Sequence, residues 1–167
     1  ENRLEKVDDE ELREQLDIVN KIIATHQDTK YNKFCEILRS LNWAGREQDD
    51  RIVVFTERIE TINYLKANLE KDFKIKDKPI RSGDGEYPRI AVFQGGMLDT
   101  EQDAMIENFG KKDSPIRMLI CSDAGAQGVN LHYYCNRMFN YDIPWSLITL
   151  EQRNGRIDRY KQPRVPY

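Results

Sequence analysis

Ile52-Val53-Val54-Phe55-Thr56-Glu57-Arg58-Ile59-Glu60-Thr61-Ile62-Asn63-Tyr64-Leu65-Lys66-Ala67-Asn68-Leu69 changes its hydrophobic period part-way along. The run 52–55 is apolar without alternation and mostly β-branched, as suits a strand covered on both faces. From Ile59 onward, Ile59, Ile62, Leu65 and Leu69 return at spacings of three and four, the stripe of an amphipathic helix. Strand then helix is the first half of a βαβ unit. Further short apolar runs follow at Ile90–Phe93, Met118–Cys121 and about Arg137–Tyr141. Between the second and third, Leu98, Met105, Ile106 and Phe109 fit one side of another helix. Alternating strands and helices predict an α/β domain with a mostly parallel sheet. The charged, Pro- and Gly-bearing stretch Lys74–Arg89 reads as an exposed excursion before the second strand.

Upstream of Arg51 the pattern is helical only. Leu12, Leu16, Val19, Ile22 and Ile23 form one stripe. Asp28 or Thr29 can cap a second helix through Tyr31, Phe34, Ile37, Leu38 and Leu41, ending near Gly45, with a polar linker to Arg51. The organisation expected is a helical lead-in over 1–50 and the α/β domain over 51–167. A length of 167 residues suits a single core with such an appendage.

Hydrophobic residues make up 39% and charged residues 33%, which points to a folded chain. No run approaches the roughly 18 apolar residues of a membrane span, and the acidic, mixed start lacks signal-peptide character, so the expectation is a cytoplasmic protein without membrane contact. Cys35, Cys121 and Cys135 are odd in number and, with His26 and His132, lack metal-ligand spacing; buried free thiols are expected. The net charge of −3 gives no global basic footprint, so any nucleic-acid contact must be local.

In an open parallel sheet, ligands gather beyond the carboxyl ends of the strands, where this chain places its small and polar residues. Thr56-Glu57-Arg58 follow the first strand, Gln94-Gly95-Gly96 the second, Ser122–Leu131 the third, and Asp142 and Pro144 the fourth. Gly95 and Gly96 suit a tight strand-to-helix turn, and equally a helix N-terminus offering amides to a phosphate. Gly125 and Gly128 bracket a second such loop. The last apolar stretch runs Leu147-Ile148-Thr149-Leu150-Glu151-Gln152-Arg153-Asn154-Gly155-Arg156-Ile157-Asp158-Arg159. If it is helical throughout, at about 100° per residue, Gln152, Arg156 and Arg159 share an arc of roughly 60°, opposite Leu147, Leu150 and Ile157. Such arginines are either a solvated face or planar donors aimed at phosphate.

Together these segments resemble the second motor lobe of superfamily-two helicases, within them the Swi/Snf-type ATPases, and especially bacterial stand-alone and RNA-polymerase-associated members. Asp28–Leu41 looks like the lead-in helix, Ile52–Thr56 like the first strand, Val92–Phe109 like the strand, glycine turn and helix that follow, and Ser122–Leu131 like the fifth helicase motif. Tyr141-Asp142-Ile143-Pro144-Trp145 is similar to the family's strand ending in Asp and an aromatic. Gln152–Arg159 carries the Q-R-x-G-R-x-x-R pattern of the sixth motif. Three positions depart from the pattern: Asp123 stands where Ser or Thr is usual, Gln102 where a basic residue is common, and Tyr160-Lys161-Gln162 where many members have Ile-Gly-Gln.

The resemblance implies a RecA-like three-layer fold that completes an ATP hydrolysis site together with an N-terminal RecA-like lobe of the same polypeptide. It implies Arg156 and Arg159 as arginine fingers, with Gln152, Arg153, Asp123, Gly125 and Gly128 at the ATP cleft. It implies nucleic-acid contact, with double-stranded DNA, through Gly95, Gly96, Ser122 and Asn130, although Ser122 and Asn130 serve equally as turn-shaping residues. No G-x-x-x-x-G-K-[ST] loop or acidic Mg²⁺-binding box occurs in these residues, so ATP and Mg²⁺ are expected to be held mainly by the other lobe, and this chain alone to be inactive. The alternative is a non-catalytic docking module that keeps the fold.

Overall fold

The computed structural model describes residues 10–24, 28–47, 49–76, 78–83, 85–123, 131 and 134–158. The chain divides between Leu41 and Asn42 into two compact units. The first holds α1 (Glu10–Ala24) and α2 (Thr29–Ser40). Asp28 caps α2, its Oδ1 accepting from Tyr31 N at 2.9 Å, and Tyr31, Phe34, Cys35 and Leu38 are its buried residues, a spacing of three, one and three. Leu12, Ile18 and Val19 of α1 remain exposed.

The second unit contains the sheet. Its strands are β1 (Arg51–Phe55), β4 (Ile90–Phe93), β5 (Met118–Cys121) and β6 (Cys135–Asn140), in the order β4-β5-β1-β6 and all parallel. The helices are α3 (Ile59–Asp72), α4 (Asp99–Phe109) and α5 (Leu147–Asn154). Every residue of β1 and β5 is buried, which explains why their sequences lack alternation. Val53, Phe55, Ala91, Phe93, Leu119 and Cys121 form one core cluster with Phe109 of α4, Ile116, Leu131 and Ile157. On the alternate positions Ile52, Val54, Ile90, Met118 and Ile120 are buried, as are Ile62, Leu65 and Leu69 of α3, which packs on β4 and β5.

The α/β class, the mostly parallel sheet and the helical start match the expectation from sequence. Several details differ. Lys74–Arg89 contains an antiparallel hairpin, β2 (Ile80–Ser82) with β3 (Gly85–Tyr87), of three residues a side. Strands that short, exposed or half-buried, carry too little apolar pattern to be read. Leu98 is the exposed N-cap of α4 instead of a core position. The stretch before β1 is packed into the second unit: Trp43 is buried, donates from Nε1 to Asp50 O at 3.0 Å and meets Phe73 edge-on at 5.6 Å. Gly45, at φ +70°, sits where a Cβ would collide with Ile75. The three cysteines are free and buried; His26 and His132 lie outside the described residues.

At the amino ends of the strands Arg51 is almost fully buried and donates to the carbonyls of Phe109, Lys111 and Lys112, satisfying the C-terminus of α4. Its guanidinium also lies over the rings of Phe109 and Tyr134, at 5.6 and 5.0 Å. Burial, then neighbouring Arg117, push it down to about 10, so it stays charged at neutral pH.

Arg51→Met should lower unfolding free energy by about 2 kcal/mol in urea titrations, because buried carbonyls lose a charged donor. A second expectation concerns alkali. Burial pushes the Cys135 thiol from 9.0 up to about 12, so above pH 9.0 the unfolded chain sheds a proton that the native chain keeps. Stability should therefore fall as pH rises from 9 toward 12, and Cys135→Ala should flatten that part of a melting-temperature profile.

Candidate nucleotide-side edge of the sheet

The carboxyl ends of β1, β5 and β6 meet at one guanidinium. Arg153 lies on α5, which Ser146 starts by accepting from Thr149 N. The side chain points inward and is 2% exposed. Its Nε and Nη2 donate to Asp123 Oδ1 and Oδ2 at 2.6 and 2.7 Å, a parallel two-bond pair. Its Nη1 donates to Asn140 Oδ1 at 3.0 Å and to Asp142 O at 2.7 Å. The guanidinium carbon sits 5.3 Å from the ring centre of Phe55. A lysine could offer neither the two-bond match to a carboxylate nor the flat face to the ring.

Asp142 extends the connection. Its Oδ2 accepts from Thr56 Oγ1 and, at 3.4 Å, from Glu57 N, while Tyr141 N donates to Phe55 O at 2.8 Å. The loops after β1 and β6 are thereby held together. Sequence patterning placed Thr56 and Asp142 beyond strand ends without pairing them, and Asn140 was not singled out. A polar residue closing the strand run Met138-Phe139-Asn140 was the available signal.

The other expected site residues fall as follows. The helix carrying the sixth-motif pattern does not continue to Arg159: α5 ends at Asn154, with Gly155 as its C-cap. Arg156 N and Ile157 N then bond back three residues, to Arg153 O and Asn154 O at 3.0 and 3.1 Å, a tighter turn than an α-helix. Gly155 stands at the C-cap; beyond it Ile157 is in the core cluster, while Leu147 stays exposed. The shared arc expected for Gln152, Arg156 and Arg159 therefore does not follow from one continuous helix. Gln152 is exposed, Arg156 is half-buried, and the Arg156 carbonyl accepts from Leu131 N at 3.1 Å. Gly125, Gly128, Asn130 and Arg159 lie outside the described residues.

Gly95 and Gly96 form the exposed turn after β4, and Gly96 has φ +90° with open space around it. Gln102 reaches back over this turn, Nε2 lying 3.4 Å from both Gln94 O and Met97 O. The first turn of α4 carries Asp99 and Glu101, which already complement the helix dipole and oppose an anion at those amides. Ser122 is 6% exposed and its N–H donates to Phe93 O at 3.0 Å, so it closes the β4–β5 edge. Beside α5 lies an exposed apolar strip, Ile143, Trp145, Leu147 and Ile148, with Trp145 fully exposed at 101%.

The helicase conserved C-terminal domain family matches residues 29–161. The chain belongs to that family. This helicase lobe is similar to YqhH of Bacillus subtilis (strain 168), an uncharacterized ATP-dependent helicase, at 32% identity over 147 residues that take in 88% of the chain and 22% of that protein. It is also similar to the RNA polymerase-associated protein RapA of Vibrio cholerae (serotype O1, strain M66-2), at 37% identity over 136 residues, 76% of the chain and 13% of that protein. The lobe thus spans under a quarter of the length of either relative. Among solved structures, the C-terminal part of the Fun30 ATPase domain matches with a TM-score of 0.64 at 16% identity, covering 84% of this chain and 39% of that one. Dbp5 of S. cerevisiae, bound to RNA and ADP BeF3, matches with a TM-score of 0.55 at 20% identity, over 82% and 30%. These likenesses establish the RecA-like fold.

Removing Arg153 would strand a partly buried carboxylate and two further acceptors. Arg153→Met should cost about 3 kcal/mol of stability by urea unfolding, the range for breaking a buried ion pair. Arg153→Lys should recover only part of it, since the two-bond geometry is lost.

Proposed function

We propose that this lobe is the C-terminal half of an ATP-driven nucleic-acid translocase, lending Arg156 and Arg159 to a hydrolysis site completed by an N-terminal RecA-like lobe of the same polypeptide. The observation that carries the reading is the anchoring of Arg153. It fixes the Q-R-x-G-R-x-x-R segment to the carboxyl edge of the sheet, so that Arg156, three residues on, is set by a buried guanidinium held in a two-bond carboxylate pair. On this reading Arg153 is a positioning residue, its N–H groups committed inside the lobe, and Asp123 at the cleft acts through it. Arg156 and Gln152 retain donors that suit a polyphosphate, Gly125 and Gly128 complete the cleft loop, and a guanidinium suits charge developing on a transferring phosphoryl group. Bound ATP with Mg²⁺ would supply the phosphoanhydride bond whose cleavage drives movement, held chiefly by the N-terminal lobe.

Nucleic acid is the substrate class proposed, with double-stranded DNA the form. The Gly95-Gly96 turn is accessible for a backbone contact, against the opposing carboxylates of Asp99 and Glu101; Asn130 is the second candidate, and the burial of Ser122 supports a turn-shaping role for that residue. The exposed apolar residues Ile143, Trp145, Leu147 and Ile148 lie in the loop before α5 and in its first turn, and exposed apolar surface of that kind suits the face on which the N-terminal lobe closes. That surface equally fits the docking-module alternative, which the intact arginine pattern disfavours.

The chain by itself should release no phosphate from ATP at any DNA concentration; stimulated turnover above the blank would defeat the division of labour. In the two-lobed polypeptide, Arg156→Ala should lower turnover on the order of 10³-fold with little change in ATP affinity, because a finger acts on the transition state. Equal losses in affinity and turnover would assign Arg156 a ground-state role instead.

A further inference from the structure

At the opposite end of the sheet, the second unit contains an open hollow of about 510 Å³ lined by Arg46, Lys74, Lys76, Lys78 and Arg89, with walls from Phe73, Ile75, Ile80, Ala44 and Gly45. Three separate segments build it: the loop before β1, the chain leaving α3, and the residue before β4. Among the described residues, no acidic side chain lines it. Five cations thus share one concavity in a chain whose net charge is −3, and among the described residues none of the five has a salt-bridge partner. The nearby carboxylate of Asp49 is turned to backbone, its Oδ2 accepting from Ala44 N and Arg46 N at 2.7 and 2.8 Å. Asp77, between Lys76 and Lys78, lies outside the described residues.

Two further observations point the same way. Arg117, whose N–H donates to Arg89 O at 2.8 Å, is 7% exposed and its Nε has no hydrogen-bond partner. Burial, and then the Arg89 charge, push it below its ordinary value, against the weaker pull of Glu47 and Asp49. This end of the lobe therefore holds positive charge that its own carboxylates leave uncompensated. Lys74, just past α3, has φ +53°, a left-handed position that favours glycine over any side chain.

We propose that this hollow is an anion site for a phosphate-bearing ligand, separate from the arginine turn and about one strand length, roughly 15 Å, away from it. Its size falls in the range of small-molecule pockets, about 300–1,000 Å³. Arg46 and Arg89 offer forked donors to phosphate oxygens, the three lysines offer mobile point charges, and Phe73, Ile75 and Ile80 offer an apolar wall to the rest of the ligand. The phosphates come either from a small polyphosphate or from a nucleic-acid backbone; the charge pattern is the same for both.

The test measures melting temperature and direct binding of inorganic tripolyphosphate to the chain at fixed ionic strength, for the native sequence, Lys74→Gly with Lys76→Ser, and the distant control Lys33→Ser. Saturable binding with a rise in melting temperature is expected for the native sequence and the control. The double variant should bind at least tenfold more weakly, yet melt no lower without ligand, because it relieves both repulsion and the left-handed Lys74. A labelled DNA duplex supplies the second arm. Competition with tripolyphosphate, lost in the double variant, identifies a nucleic-acid backbone as the source, and independent binding identifies a small polyphosphate. No saturable tripolyphosphate binding, or equal binding by the double variant, overturns the site.

Discussion

The carboxyl edge of this lobe depends on one desolvated guanidinium. Arg153 gathers Asp123 after β5, Asn140 and Asp142 at the end of β6, and the ring of Phe55 at the end of β1. Those three strands are adjacent in the sheet, so their ends are registered against a single charge. Burying an unpaired arginine would cost several kcal/mol, and the two-bond carboxylate pair offsets that desolvation only when its geometry is good. The contacts are therefore interdependent. Asp123 has its oxygens ordered by Arg153, and Arg153 is tolerable in the interior because Asp123 is there.

The pairing shows what an acidic residue at position 123 does in this chain. A Ser or Thr would offer one neutral acceptor to a buried cation, whereas Asp offers two oxygens and a compensating charge. Asp123 and Arg153, thirty residues apart, are thus matched in charge and geometry. Thr56 and Asp142 extend the same logic outward, linking the loop after β1 to the loop after β6.

Much of this was readable from sequence, and the boundary of legibility has physical causes. The buried strands were legible because unbroken apolar runs such as Ile52–Phe55 have few alternatives, and α3 because Ile62, Leu65 and Leu69 keep strict helical spacing. The hairpin Ile80–Tyr87 was not, since its six paired residues bury little and its turn carries the information. The end of α5 does not show in the pattern, because Arg156 and Ile157 continue the helical spacing in sequence while the chain leaves the helix at the Gly155 cap. Motif spacing placed Arg153 among the residues expected at the cleft. It could not say which way the side chain points, because inward and outward arginines look alike until their acceptors, contributed from Asp123 to Asp142, are brought together by the fold.

The two ends of the sheet then differ in kind. Both contain a buried arginine satisfied by polar groups, but Arg153 meets a carboxylate and Arg51 meets only carbonyl oxygens and aromatic faces. Carbonyls satisfy hydrogen bonds without cancelling charge, which is why burial and Arg117 can push Arg51 down to about 10 while Asp113 restores little. At the carboxyl end the interior charge is neutralised locally, which leaves exposed Arg58 and half-buried Arg156 as cations that can face a ligand there. At the amino end the interior arginines add to the surface ones. A net charge of −3 conceals this polarity, because the excess acids lie elsewhere on the chain. Local electrostatics, not the total, decide where a chain of net charge −3 can receive phosphate.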